Sequence, residues 1–431
     1  MSYQQPEPEE EEEAVTAARS QKRRSFQKLV KKVVHTQTTA RVADHRRHSK
    51  HVLYPSRSRT CIRQAPIVGG EPISSDTATE LRMRVFGAAD LRSFSLEEWL
   101  LLPFSFNDAG SPQAYGLRVH SASTKGMAMC VQAYLLKHLL FSHIKPSGVG
   151  DVAKLLKTTR RAQVDGLVSA LADILWLMGE KKHAVLCLVQ EDTYVNEDPE
   201  YMDDGCTEKL VTFEFERYEE LKFTLKKYIY ELVTEGHHGM LLFLYSVVLS
   251  RSFPRLSADL EGEECSLVMA SGTIHPCLVT LLLTGRATKY LHNGIVYEGS
   301  EDKMAIPKTG ILVRSEIGLL VWNRQESDEN RTKVGSRLKT PTLPIWVTRC
   351  NDSYGVLFNP NRDLIRDYHA ENRFDLYYYS SNPRQTTSTV LTIDTRSPAL
   401  KDDHQRPPLE SIVHTKWMDA DVSWNGTMPY V

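Results

Sequence analysis

The stretch Tyr115–Phe141, YGLRVHSASTKGMAMCVQAYLLKHLLF, has two halves of different character. From Val131 onward it reads as an amphipathic helix. Between His120 and Gly126 it holds no bulky apolar residue, which predicts a short polar turn feeding that helix. Such a turn is a favoured place for a reactive anion, because the helix dipole and the unpaired N–H groups stabilise negative charge there. The turn carries a cation, Lys125, and no thiol. Cys130 follows five residues later. On a helix that spacing turns a side chain through about 500°, roughly 140° from Lys125. Cys130 is therefore expected in the packing beneath the helix, as a small buried apolar residue. His120 lies close by but has no nucleophile to serve.

Further text repeats this mix of apolar strands and polar turns. Thr340–Phe358 reads TPTLPIWVTRCNDSYGVLF, Leu281–Ala287 reads LLLTGRA, and Gly335–Pro341 reads GSRLKTP. Arg314-Ser315-Glu316-Ile317-Gly318, Phe374–Tyr379 (FDLYYY), Pro407-Pro408-Leu409-Glu410, Thr415-Lys416-Trp417 and Trp424-Asn425-Gly426 complete the series. Together with the Tyr115-Gly116-Leu117, Val131-Gln132-Ala133 and Leu139-Leu140-Phe141 anchors, these pieces resemble the MINDY deubiquitinase family. The likeness is to the branch of its third and fourth subtypes, nearest to an inactive side-branch of the fourth. The pieces are collinear from about Arg82 to the end of the chain.

The resemblance implies an α+β, papain-like cysteine-hydrolase-type fold with helices early and strands late. It also implies a site whose chemistry has been removed. In register, the family's catalytic Cys falls on Lys125, its oxyanion-stabilising Gln on Val119 and its general-base His on Ser353. An oxyanion amide is worth about 3–4 kcal/mol of transition-state stabilisation, which valine does not supply. Serine takes no proton at neutral pH. Loss of the nucleophile alone costs on the order of a million-fold. The resemblance thus implies a catalytically dead relative of enzymes that cleave lysine-48-linked polyubiquitin, with ubiquitin or that chain as the ligand to test. Asp375 is the one residue offered for the family's base-orienting position.

At 431 residues and 49.0 kDa the chain is long enough to bury a large core. Its near-neutral balance, 53 Lys and Arg against 54 Asp and Glu, hides a marked asymmetry. Glu9 to Glu13 form an unbroken acidic run, whereas residues 19–63 carry 14 basic side chains against Asp44 alone. Residues 1–75 are expected to be a disordered acidic-then-basic tail, and residues 80–431 a single MINDY-like domain. Phe26, Leu29, Val30 and Val33 permit a short basic amphipathic helix over Ser20–Val34. The seven dispersed cysteines show no C-x-x-C pair and no metal-ligand spacing. They read as reduced intracellular thiols, cytoplasmic or nuclear, and nothing calls for a metal or cofactor. The longest apolar run, Met240–Leu249, is too short to span a bilayer and reads as a buried core helix. His237-His238 beside it reads as a solvated turn and not a metal site.

Helices are expected from Ser95 (capped by that residue with Glu98 three positions on), over Val131–His143, over Val164–Met178 and over Arg217–Glu235. Strands are expected at Ala184–Val189, Ile311–Val313, Leu319–Trp322, Ile345–Val347, Val356–Phe358 and Leu376–Tyr379. Two functional classes remain: an inactive deubiquitinase relative acting by binding, or a basic-tailed adaptor for an acidic partner or nucleic acid without ubiquitin binding.

Overall fold

The structure is a computed structural model, and it describes residues 66–88, 94–142, 152–195, 203–263, 265–299, 306–326, 333–385, 387–398 and 406–429. The charged tail up to residue 65, and the helix expected over Ser20–Val34, lie outside the described residues. The helices are α1 (Ser75–Phe86), α2 (Phe94–Leu101), α3 (Ala122–Phe141), α4 (Val152–Leu156), α5 (Arg160–Met178) and α6 (Tyr218–Val233). They continue with α7 (Gly239–Arg251), α8 (Phe253–Asp259), α9 (Pro276–Thr284), α10 (Ser336–Lys339) and α11 (Pro408–His414). The strands are β1 (Glu71–Pro72), β2 (Ser105–Phe106), β3 (Leu117–Arg118), β4 (Ala184–Val189), β5 (Leu210–Phe215), β6 (Ile295–Glu298) and β7 (Ile306–Thr309). After them come β8 (Gly318–Trp322), β9 (Ile345–Cys350), β10 (Ser353–Phe358), β11 (Arg373–Tyr379), β12 (Thr389–Pro398) and β13 (Ala420–Ser423).

A six-stranded sheet in the order β13-β12-β11-β10-β9-β8 forms the second half of the chain. It is antiparallel except for the β8–β9 pair. Side chains alternate across it, as the period of two requires. Val347, Val356 and Phe358 join the main core with α3, while Trp346 and Leu357 join a second core closed by Leu409, Ile412 and Val413 of α11. The sheet is therefore covered on both faces. The smaller sheet, β1-β5-β4, packs on α7, whose Ser246 and Ser250 hydroxyls accept from the Cys187 and Val185 amides. The result is a mixed helix-and-sheet fold, with most helices before residue 285 and the large sheet after residue 317.

Helix α3 is buried nearly all round, which marks a core helix rather than a surface one. At its C-terminal end it is tied to α5 and α6 by a polar cluster on Asp173. Lys137 Nζ and His138 Nε2 each lie 2.8 Å from Asp173 Oδ2, and the Tyr218 hydroxyl donates to Oδ1 at 2.6 Å. Burial alone would raise the carboxyl pKa, but the His138 hydrogen bond and the Lys137 charge more than offset it and hold it well below the usual range. A depressed folded-state pKa contributes stability above the unfolded value near 4 that is lost as pH falls below it. Asp173→Asn is accordingly expected to cost roughly 1–3 kcal/mol at pH 7. It should also flatten the acid limb of a urea-unfolding pH series below about pH 4.

Several expectations need correction. The polar segment before Val131 is not a turn: the helix already runs from Ala122, so Lys125 is helical. Helix α2 starts at Phe94, so Ser95 lies inside its first turn and is not the cap. Ile311–Val313 is no strand. The Ile311 backbone is spent on His292, Gly294 and the Arg337 guanidinium, leaving one isolated bridge to Asn293. Glu71–Pro72, placed in the tail by sequence, pairs with β5, and Ile73 behind it is buried. Among the described residues no helix is long and apolar enough to cross a membrane, and Met240–Leu249 lies within the buried α7.

Candidate functional site

The Tyr115-Gly116-Leu117 anchor positions the site. Tyr115 is fully buried against Phe358 and Tyr379. Gly116 lies flat under the Tyr379 ring, where a Cβ would fall 2.2 Å from Cζ. The Tyr379 hydroxyl donates to the Leu117 carbonyl at 2.8 Å and accepts from Asn107 Nδ2 at 2.9 Å. Gln132, a fully buried amide on α3, closes the brace: its Oε1 accepts from Leu117 N at 2.6 Å and its Nε2 donates to Tyr115 O at 3.2 Å. Strand β3 is thus fixed to both the helix and the large sheet.

The chain then turns into α3. Ser121 is the N-cap, accepting from Ser123 N at 3.1 Å. The Glu98 carboxylate of α2 accepts from the Ser121 hydroxyl and, at 2.9 Å, from the Ser123 hydroxyl. A carboxylate at a helix N-terminus complements the dipole. Polar sequence between His120 and Gly126 was legible as a helix approach, but its partner Glu98 was read only as part of a capping box.

Lys125 stands in the next turn, half-buried, and its Nζ donates to Ser353 Oγ at 3.3 Å. These two residues are 228 positions apart and were paired from sequence only through family resemblance. The close approach of β10 to α3 is made possible by Gly126, whose missing Cβ would meet Ile274 Cδ1 at 2.1 Å and Tyr354 Cε2 at 3.1 Å. Ser353 is exposed at the first residue of β10, facing Cys350 across the hairpin. Burial lowers the Lys125 pKa, and no other influence on it is resolved, so no nearby carboxylate offsets the penalty.

Val119 packs its half-buried side chain against the main core, and its backbone N–H donates to Ser381 Oγ at 2.8 Å. Neither its side chain nor its amide is left as a donor to the cleft. Cys130 is fully buried, and burial pushes its thiol well above the ordinary range. Five residues further along α3, it is turned roughly 140° about the helix axis from Lys125. His120 is exposed in the β3–α3 turn. Asp375 does not belong to the site. The β10–β11 register pairs Phe358 with Tyr377, so Asp375 lies past the far end of β10, roughly 20 Å along the strand from Ser353. Its carboxylate accepts from Thr392 Oγ1 at 2.7 Å. His237, expected as part of a solvated turn, sits 2.5 Å from Glu231 Oε2.

A half-buried cation near the positive end of a helix is mildly unfavourable. Lys125→Met is therefore expected to stabilise the chain by about 0.5–1 kcal/mol in urea unfolding at pH 7. The lysine's folded-state pKa is lowered, so its cost is full below that value and fades as pH rises through it. The gain from methionine should shrink accordingly in alkaline buffer.

The sequence comparisons first give the class: deubiquitinating enzymes. Residues 82–426 match the conserved domain of "Deubiquitinating enzyme MINDY-3/4", and the chain belongs to that family. It is 34% identical over 361 residues to the human protein named "Probable ubiquitin carboxyl-terminal hydrolase MINDY-4", covering 83% of this chain and 46% of that one. The Xenopus tropicalis protein of the same name is 33% identical over 364 residues, 84% of this chain and 47% of the relative. Human "Ubiquitin carboxyl-terminal hydrolase MINDY-3" is more distant, 27% identical over 257 residues, 54% of this chain and 55% of that one. The chain spans less than half the length of these MINDY-4 relatives. No solved structure matches it.

Proposed function

We propose that this chain is a pseudo-deubiquitinase, a papain-like hydrolase framework that binds ubiquitin or lysine-48-linked polyubiquitin and does not cleave it. The observation that carries the reading is the contact between Lys125 and Ser353. A strand residue and a helix residue meet at hydrogen-bond distance, as a nucleophile and its base must. By resemblance these are the positions of the thiol and the imidazole. The frame of such a pair is kept and its reactive groups are absent. Val119 and the buried, high-pKa Cys130 supply no substitute. Binding of ubiquitin is drawn from the names of the relatives, which act at ubiquitin's carboxyl terminus.

The test is a titration of the full chain with labelled lysine-48-linked tetraubiquitin, read by fluorescence anisotropy, with a parallel gel assay for cleavage. Saturable binding with no shorter chains released is the expected result. Cleavage would contradict the inactivity. Absence of binding would remove the ubiquitin reading.

A further inference from the structure

We propose that Cys265 and Cys277 are a modification site, which an oxidant of the peroxide class joins in a reversible disulfide across the base of the hairpin between them. The proposal does not depend on the ubiquitin reading.

The chain between α8 and α9 doubles back on itself. Val268 and Ile274 form an antiparallel bridge, the Met269 N–H donates to Thr273 O at 2.8 Å, and the His275 N–H donates to Leu267 O at 2.8 Å. That register sets Leu267 opposite His275. Two positions further out on the two arms stand Cys265 and Cys277. Residues opposite in such a pair have Cα atoms about 5.5 Å apart, inside the roughly 4.4–6.8 Å that a disulfide spans. Helix α9 starts at Pro276, and His275 Nδ1 caps it by accepting from the Cys277 N–H at 3.2 Å. The cap holds Cys277 against the end of the second arm. Both thiols are free, and both residues line one cavity of about 310 Å³ together with Glu263, His275 and Lys289. Burial raises the Cys277 thiol to about 12, and the next largest influence on it is the Cys265 thiol, so the two sulfurs lie within range of each other's charge.

Cys265 is half-buried and Cys277 is 2% exposed, so Cys265 meets the oxidant first. Its sulfur attacks the peroxide O–O bond, giving a sulfenic acid and releasing water. The Cys277 sulfur then displaces the hydroxyl from Cys265, the S–S bond forms, and a second water leaves. Two thiol hydrogens and two electrons pass to the peroxide in all. Burial also raises the Cys265 thiol, Glu263 raises it further, and Lys289 opposes both. Thiolate is therefore scarce on both residues at neutral pH, and the link forms under sustained oxidant instead of as a fast response.

The hairpin carries Ile274, whose Cδ1 occupies the space that a Cβ on Gly126 would need, next to Lys125 in α3. Its turn also accepts the Trp99 indole N–H of α2, at Gly272 O, at 2.8 Å. A bond across the base of this hairpin thus stiffens the packing between α2 and the start of α3.

The test treats the freshly reduced full chain with excess hydrogen peroxide in native buffer, then alkylates it and maps it by mass spectrometry without reduction. The expected product is a peptide linking Cys265 to Cys277, with the chain lighter by two hydrogens and two alkylation sites lost. Dithiothreitol should restore both sites. Cys265→Ser, a change at a half-buried position, should abolish the link and leave Cys277 open to alkylation after denaturation. The proposal is overturned by a link that forms only in urea, by a link of either cysteine to another such as Cys61, or by a link between the fully buried Cys187 and Cys206 in its place. Separate oxidation of both thiols to sulfinic acids, or two thiols that stay alkylatable throughout, would overturn it equally.

Discussion

The double variant Lys125→Cys with Ser353→His is expected to form a covalent adduct with a ubiquitin carrying a C-terminal electrophile. The two side chains already meet at 3.3 Å across α3 and β10, so the backbone frame needs no rearrangement to bring a thiol and an imidazole together. A cysteine at residue 125 would sit early in a 20-residue helix, where the dipole lowers a thiol pKa, and the adjacent histidine would lower it further. Restoring a nucleophile recovers a step whose loss costs on the order of a million-fold. Recovery should be incomplete. In the proposed register Val119 stands at the oxyanion position and offers no amide, and its backbone N–H is held by Ser381, so about 3–4 kcal/mol of oxyanion stabilisation would stay missing. Adding Val119→Gln should raise the rate of adduct formation further. Each single variant should remain far slower than the pair. Intact-mass spectrometry over time reads all of these.

The second large effect concerns the brace under the site. Gln132→Leu removes the acceptor for Leu117 N–H and the donor to Tyr115 C=O, both buried. Leucine fills similar volume, so the cost comes from stranded polar groups and not from a cavity. Each stranded group costs about 1–3 kcal/mol, which places the total loss at roughly 2–5 kcal/mol. Because β3 leads directly into the Ser121 cap, the same change should loosen the Lys125–Ser353 contact. Hydrogen exchange would show faster exchange at Leu117 and in the first turns of α3, and chemical denaturation would give the stability loss.

Much of the fold was legible because it is apolar and periodic. Val164–Met178 and Met240–Leu249 fall inside α5 and α7, and the strand runs at residues 184, 319, 345, 356 and 376 lie in β4, β8, β9, β10 and β11. What failed was decided by contacts distant in sequence. The segment between His120 and Gly126 looked like a turn because its small and polar residues carry no helical stripe, yet Glu98 and Ser121 cap it and the surrounding core encloses it. Ile311–Val313 looked like a strand by composition, but loop carbonyls and Arg337 claim its backbone. Gln132 was the one site-supporting residue with a visible signal, a polar amide inside an otherwise apolar helix, and it went unread as a brace.

The site was legible in a different sense. Nothing in composition or spacing joins residue 125 to residue 353. Only family resemblance does, and the fold brings the two side chains into contact. Asp375 shows where the same reasoning lacked a constraint, since strand register and not sequence text fixes which end of the sheet a residue occupies.

The central claim is that this framework keeps the geometry of a nucleophile–base pair and none of its chemistry. The most direct measurement is incubation of the unaltered full chain with a large excess of ubiquitin bearing a C-terminal electrophile, followed by intact mass and peptide mapping. The account predicts no ubiquitin adduct at any time point. An adduct mapped to Cys130, or to any other residue of the chain, would contradict it.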